Sequence, residues 1–152
     1  MKIKLISETI GTLFLLLIVV GSGIMGENLT ENKGVVLLAN SIATAFGLIV
    51  LIWTFGPYSG AHFNPAVSFV MMLLGKLTKQ DMFFYVLCQL IGGVLGVIFA
   101  NMIFDLSICV SVNIFCTSAY LLLLRYSSPR AGCPLKSINN ITVFTSCTFL
   151  TI

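Results

Sequence analysis

"SGAHFNPAVS", residues 59–68, sets two serines, a histidine, an asparagine and a proline between two runs of nearly pure hydrocarbon side chains. Asparagine directly before proline is a helix-start signal. The Asn64 side chain can accept from the first free amides, and Pro65 lacks an N–H that would go unpaired at that position anyway. A helix is therefore predicted to begin at Pro65. It has little room, because the apolar text ends near Leu74 and Lys76 and Lys79 follow. From Pro65 to Leu74 is about ten residues, which at about 1.5 Å of rise each make about 15 Å, half the hydrocarbon thickness of a bilayer.

The flanking text makes the bilayer the right yardstick. The chain of 152 residues is 58% hydrophobic and 9% charged, with a mean hydropathy of +1.07, a composition that belongs to proteins solvated by lipid. Three runs, 5–25, 35–55 and 82–104, are each long enough to cross, since crossing takes roughly 20 residues. The second closes at Gly56 and Pro57. A fourth run, 108–124, is shorter and diluted by Ser111, Asn113, Thr117 and Ser118, and is a candidate fourth span; the stretch 138–152 is too short to cross. Lys2 and Lys4 followed by an apolar stretch also fit the start of a secretory signal, but the stretch exceeds a usual signal core and reads as a retained helix.

The charges sort by side. With the N-terminus in the cytoplasm, Lys2, Lys4, Lys76 and Lys79 fall inside, the loop 26–34 and Asp105 fall outside, and Arg125, Arg130 and Lys136 return inside if the fourth run crosses. Lys33 alone breaks the positive-inside pattern. The net charge of +3 is scattered rather than gathered with aromatics, so nucleic acid is not an expected partner. Five cysteines, at 88, 109, 116, 133 and 147, form no CxxC pair, and the chain has one histidine, so no metal site and no cofactor is expected. An intramembrane enzyme would need a catalytic pair, which one histidine without a shared acidic pair does not supply. Asn28, in "NLT", would be a glycosylation acceptor in a eukaryote.

A half-length helix entering from the cytoplasmic side and following a polar turn implies a re-entrant segment. Irregular backbone at that depth is tolerated only where protein or a wet cavity satisfies it. The carbonyls around Gly60, Ala61, His62 and Phe63 are then candidates to line a wet path, with Asn64 offering amide hydrogens at its midpoint. The positive end of the half-helix dipole would disfavour cations there and leave neutral molecules alone. Taken singly, Asn-Pro is most often an ordinary turn and a lone histidine most often structural. Depth, half length and flanking lysines together favour a pore wall.

These residues resemble the first Asn-Pro-Ala signature of the major intrinsic proteins, the aquaporins and aquaglyceroporins, with Asn64, Pro65 and Ala66 as the motif. "SETIGTLFLLLIVVGSG" is similar to the first helix of that family, at Glu8, Gly11 and Thr12, and "YVLCQLIGGVLG" to its third, at Gln89. Gly92, Gly93 and Gly96 supply a small-residue face for close helix packing. The resemblance covers about residues 5–106 and implies an all-α membrane protein of three transmembrane helices and a re-entrant half-helix. Glu8 and Gln89 would brace the loop, and His62 would sit toward the cytoplasmic mouth. It also implies passive passage of water or a small neutral solute such as glycerol, a cell-membrane location and a tetramer. For the selectivity position on the second helix, ungapped counting from Asn64 gives Thr44, and registering on "AFGL" gives Phe46.

The family is built of two inverted repeats, and residues 1–106 supply the first. No second Asn-Pro-Ala occurs, and residues 107–152, with four of the five cysteines, resemble no later family helix. A frame lost near codon 107, or a truncated sequence, is the expected cause. The alternative function is accordingly a non-conducting fragment, or an assembly modifier of intact relatives. An inverted homodimer is opposed by the charge bias, because dual topology needs a weak one.

Overall fold

A computed structural model of the chain describes residues 1–105. These form four helices: α1 (Lys2–Leu29), α2 (Lys33–Ser59), α3 (Pro65–Leu73) and α4 (Lys79–Ile103). The candidate fourth span at 108–124 lies outside the described residues. Helices α1, α2 and α4 are each long and apolar enough to cross a membrane, whereas the nine residues of α3 make only about 14 Å. Among the described residues, three spans and one half-helix are what the apolar runs predicted.

Three of the four helix starts have a local cause. The Asn32 side chain caps α2 by accepting from the Gly34 amide at 3.0 Å, Asn64 caps α3 by accepting from Ala66 at 2.8 Å, and Thr78 caps α4 by accepting from Asp81 at 3.1 Å. Lys33, the basic residue on the wrong side of the charge pattern, is paired with Glu27 at 2.7 Å. One boundary differs from the sequence reading: α2 does not stop at Pro57 but runs on to Ser59. Proline removes one bond of the ladder. The last turn is nevertheless closed by the Gly60 amide on the Gly56 carbonyl at 3.0 Å, with Gly60 left-handed (φ 90°). The Ser59 carbonyl is then taken by the Tyr85 hydroxyl of α4 at 3.0 Å. A tertiary bond thus holds a turn that local propensity would have ended.

Helix α1 is the centre of the packing, with α2 on one side and α4 on the other. It runs parallel to α4 and the two backbones nearly touch: a Cβ at Gly92 would strike the Thr9 carbonyl, and one at Gly96 the Leu13 carbonyl. In lipid there is little hydrophobic gain between helices, so such close approach supplies the van der Waals contact that holds them together. Against antiparallel α2 the approach is looser. Gly47 faces Ile18 and Gly26 faces Val36, with Leu15, Val19, Leu51 and Phe63 forming the seam between them.

Because the obstacle at Gly96 is backbone, Gly96→Ala is expected to destabilise the fold by about 1–3 kcal/mol. Gly21, whose Cβ would stand at an ordinary 3.6 Å from the Phe104 ring, is the control: Gly21→Ala is expected to be neutral or slightly stabilising. Thermal unfolding in detergent, followed by far-UV circular dichroism, checks both.

Candidate functional site: the re-entrant loop and its brace

Five residues, 60–64, join α2 to α3, and their backbone is unusual. Gly60, Ala61 and Phe63 all have positive φ, at 90°, 50° and 47°. For the two residues with a Cβ this conformation costs roughly 1–2 kcal/mol each and persists only where the surroundings over-determine it. Here they do. The Glu8 carboxylate, fully buried in α1, accepts from the His62 amide at 3.0 Å on Oε1 and from the Phe63 amide at 2.8 Å on Oε2. The Ser59 hydroxyl accepts from the Ala61 amide at 3.1 Å. Loop amides that hydrocarbon would leave unpaired are thus held by side chains.

The Phe63 ring fixes the depth. It is 1% exposed and packs with Leu15, Val19 and Leu51, in the space that any side chain at Gly11 would fill. The loop tip is therefore level with residues 8–15 of α1, within the first half of that helix, and α3 starts there. A side chain so fully packed away can offer a path nothing but its backbone carbonyl.

A hydrogen-bond chain runs on from Glu8. Gln89 Nε2, on α4, donates to Glu8 Oε2 at 2.8 Å and to Ser68 Oγ at 3.0 Å. The amide cannot be turned round, because its oxygen would then face the carboxylate. Both Gln89 hydrogens are used, so the Ser68 hydroxyl is an acceptor toward Gln89 and has its own hydrogen to give. It lies 3.2 Å from His62 Nδ1. With the Ser68 hydrogen given to the ring, Nδ1 accepts and Nε2 carries the proton, so the carboxylate favours that tautomer through two side chains. The ring is tilted against Tyr85, with centroids 5.3 Å apart, and its Nε2 lies where a Cβ on Gly60 would crowd it.

The site residues expected from sequence fall into two sets. Glu8, Gln89, Gly60, Ala61, His62, Phe63, Asn64, Pro65 and Ala66 come together around the loop. Thr44 and Phe46 lie elsewhere and point apart. Thr44 is 6% exposed and Phe46 67% exposed. Phe46 belongs to an outward apolar stripe with Ile42, Ile49 and Trp53, whereas Thr44 shares the face of α2 that carries Val36, Asn40 and Leu51 toward α1. Sequence reasoning did not single out Ser59, Ser68 or Tyr85, nor Ser22 and Asn40 on the α1–α2 seam. The signal that could have found them is polarity inside membrane-length runs. No group of three His, Cys, Asp or Glu stands together among the described residues.

The family sequence model described as "Major intrinsic protein" matches residues 1–125, past residue 106, where the motif resemblance ends. Over 103 residues the chain is 48% identical to "Aquaglyceroporin AqpS" of Rhizobium meliloti (strain 1021), covering 68% of this chain and 44% of the relative. It is 34% identical over 103 residues to "Aquaporin NIP1-2" of Arabidopsis thaliana, covering 68% of this chain and 34% of the relative. With "Aquaporin TIP1-1" of the same plant it shares 36% identity over 94 residues, 60% of this chain and 38% of the relative. The chain spans less than half the length of these curated relatives.

Two measurements check the brace. His62 is the only histidine in the chain, so ¹⁵N-imidazole labelling reports it alone; in bilayers at mildly alkaline pH, Nε2 is expected protonated and Nδ1 bare and hydrogen-bonded. Ser68→Ala is expected to move the Nδ1 resonance to its unbonded position. Glu8→Gln, which keeps the size but turns an N–H donor toward the loop amides, is expected to cost about 1–3 kcal/mol per amide left unpaired, read as a lowered unfolding midpoint in detergent.

Proposed function

The chain belongs to the major intrinsic protein family, and from that premise we propose that it is a channel polypeptide for passive passage of water or a small neutral solute such as glycerol. The observation that carries the reading is the placement of one half-helix. Asn64-Pro65-Ala66 starts α3 partway along α1, at the end of a loop whose amides are held by a buried carboxylate. Rigid support of that kind leaves the loop carbonyls free to act as acceptors along a path, since the same backbone cannot fold back on itself to use them.

In this reading Asn64 donates to the solute at the midplane, and Pro65 and Ala66 fix the start of the half-helix. The carbonyls of Gly60, Ala61, His62 and Phe63 accept along the cytoplasmic half, and Glu8 and Gln89 brace the loop without touching solute. Thr44, buried on the inward face of α2, is the better selectivity residue than Phe46. A side chain as small as threonine leaves room for solutes larger than water, and the name of the 48% identical relative, aquaglyceroporin, points the same way. The protein resides in the cell membrane with Lys2, Lys4, Lys76 and Lys79 on the cytoplasmic side, and the family resemblance gives a tetramer. Residues 1–106 act as the aquaporin-like repeat, and the family match continues beyond it to residue 125.

The second reading, a non-conducting chain that associates with intact relatives, is favoured by the one half-helix among the described residues, because a closed pore of this class pairs two half-helices. Osmotic swelling of proteoliposomes separates the two. Permeability to water or glycerol above the lipid background, from a folded and inserted sample, is expected for a channel; background permeability leaves the second reading. In conducting vesicles, Asn64→Asp is expected to change discrimination between glycerol and small cations, by placing a carboxylate where the solute meets the half-helix.

A further inference from the structure

Outward of the loop, on the α1–α2 seam, lies a second polar cluster. The Ser22 hydroxyl donates to Asn40 Oδ1 at 2.9 Å, the shorter of its two contacts, and the Thr44 hydroxyl donates to the same oxygen at 3.2 Å. Two hydroxyls converging on one carbonyl oxygen turn the other end of the amide away from both. Asn40 is 7% exposed, and among the described residues its Nδ2 donates to no group. It differs from the polar atoms that are fully sealed without a partner, such as Thr12 Oγ1 and Gln89 Oε1, in keeping an open edge. A clamp between two helices would be complete with the hydroxyl pair and the amide oxygen. The two spare N–H bonds add nothing to it, and left unpaired in hydrocarbon they are costly.

The cluster sits between two close helix approaches, Gly47 on Ile18 deeper in the membrane and Gly26 on Val36 nearer the outer surface. It is one turn outward of Thr44, on the same face of α2. We propose that Asn40 is a solute-binding donor of the outer half of the path. Its amide hydrogens take an acceptor oxygen of the passing neutral solute, a water or a hydroxyl of a small polyol, and Ser22 and Thr44 are positioning residues that hold the amide oxygen back. The proposal rests on the channel reading and deepens it. Thr44, its proton committed to Asn40, presents a methyl group and a lone pair rather than a donor. A solute entering from outside therefore meets an amide donor at Asn40 before it meets the one at Asn64.

The test uses the full chain with ¹⁵N-labelled asparagine side chains in proteoliposomes. The Asn40 amide resonance is identified by its disappearance in Asn40→Asp, a variant that keeps the acceptor for both hydroxyls and removes the free N–H bonds. A water cross-peak to the Asn40 NH₂ protons is expected. A dry amide overturns the proposal, whether the seam is closed or the amide is turned so that its oxygen faces outward. In vesicles that conduct, Asn40→Asp is expected to lower the glycerol-to-water permeability ratio about fivefold, the scale of one lost hydrogen bond; an unchanged ratio overturns the donor role even if the amide is wet. The channel reading fails separately. Vesicles that do not swell but show the cross-peak remove conduction and keep Asn40 as a hydrated donor, whereas vesicles that swell with a dry Asn40 do the reverse.

Discussion

The structure depends on one buried carboxylate. A backbone that enters a membrane and turns back before crossing has amides with no helix to pair them, and hydrocarbon offers no substitute. Glu8 answers two of them at once, His62 and Phe63, and Gln89 adds a third donor to the same group. A charged side chain inside a span is costly in isolation. Here its cost and that of the unpaired loop amides offset each other. Neither the loop nor the glutamate is stable in place without the other, which is why a helix and a turn far apart in sequence share one geometry.

Glycine does the complementary work. The braced loop needs α1 and α4 close enough for Glu8 and Gln89 to meet, and the absent side chains at Gly92 and Gly96 let the α4 backbone approach α1 to contact. The absent side chain at Gly11 makes the slot that receives Phe63. Polar support and close packing are thus two parts of one device: the glycines set the helix separation, and the separation lets the hydrogen bonds be made at 2.8–3.0 Å.

Much of the fold was legible because it is written locally. Asn64 before Pro65 marks a helix start by capping chemistry alone, and the distance from there to Lys76 limits its length. The end of α2 was read two residues early, since Pro57 is a local stop and the Tyr85 hydroxyl that holds the turn beyond it comes from another helix. The choice between Thr44 and Phe46 stayed open for a related reason: α2 is apolar nearly all round, so its pattern names no inward face until α1 is laid against it. The braces at Glu8 and Gln89 came from family resemblance, and Ser68, Ser59 and Tyr85 were missed because serine and tyrosine in an apolar run have too many ordinary explanations. The polar residues of the α1–α2 seam, Ser22 and Asn40, are legible in hindsight by the rule that an amide inside a span needs a partner.

The clamp around the loop also sets an order of events during synthesis. Glu8 is made before the loop and waits on α1, but Tyr85 and Gln89 belong to α4 and are made after it. While α3 emerges, the Tyr85 and Gln89 side chains do not yet exist, so the full set of bonds around the segment 60–73 closes only when α4 docks on α1. A change in α4 far from the loop in sequence, at Gly92 or Gly96, would reach the loop through the helix separation that this docking sets.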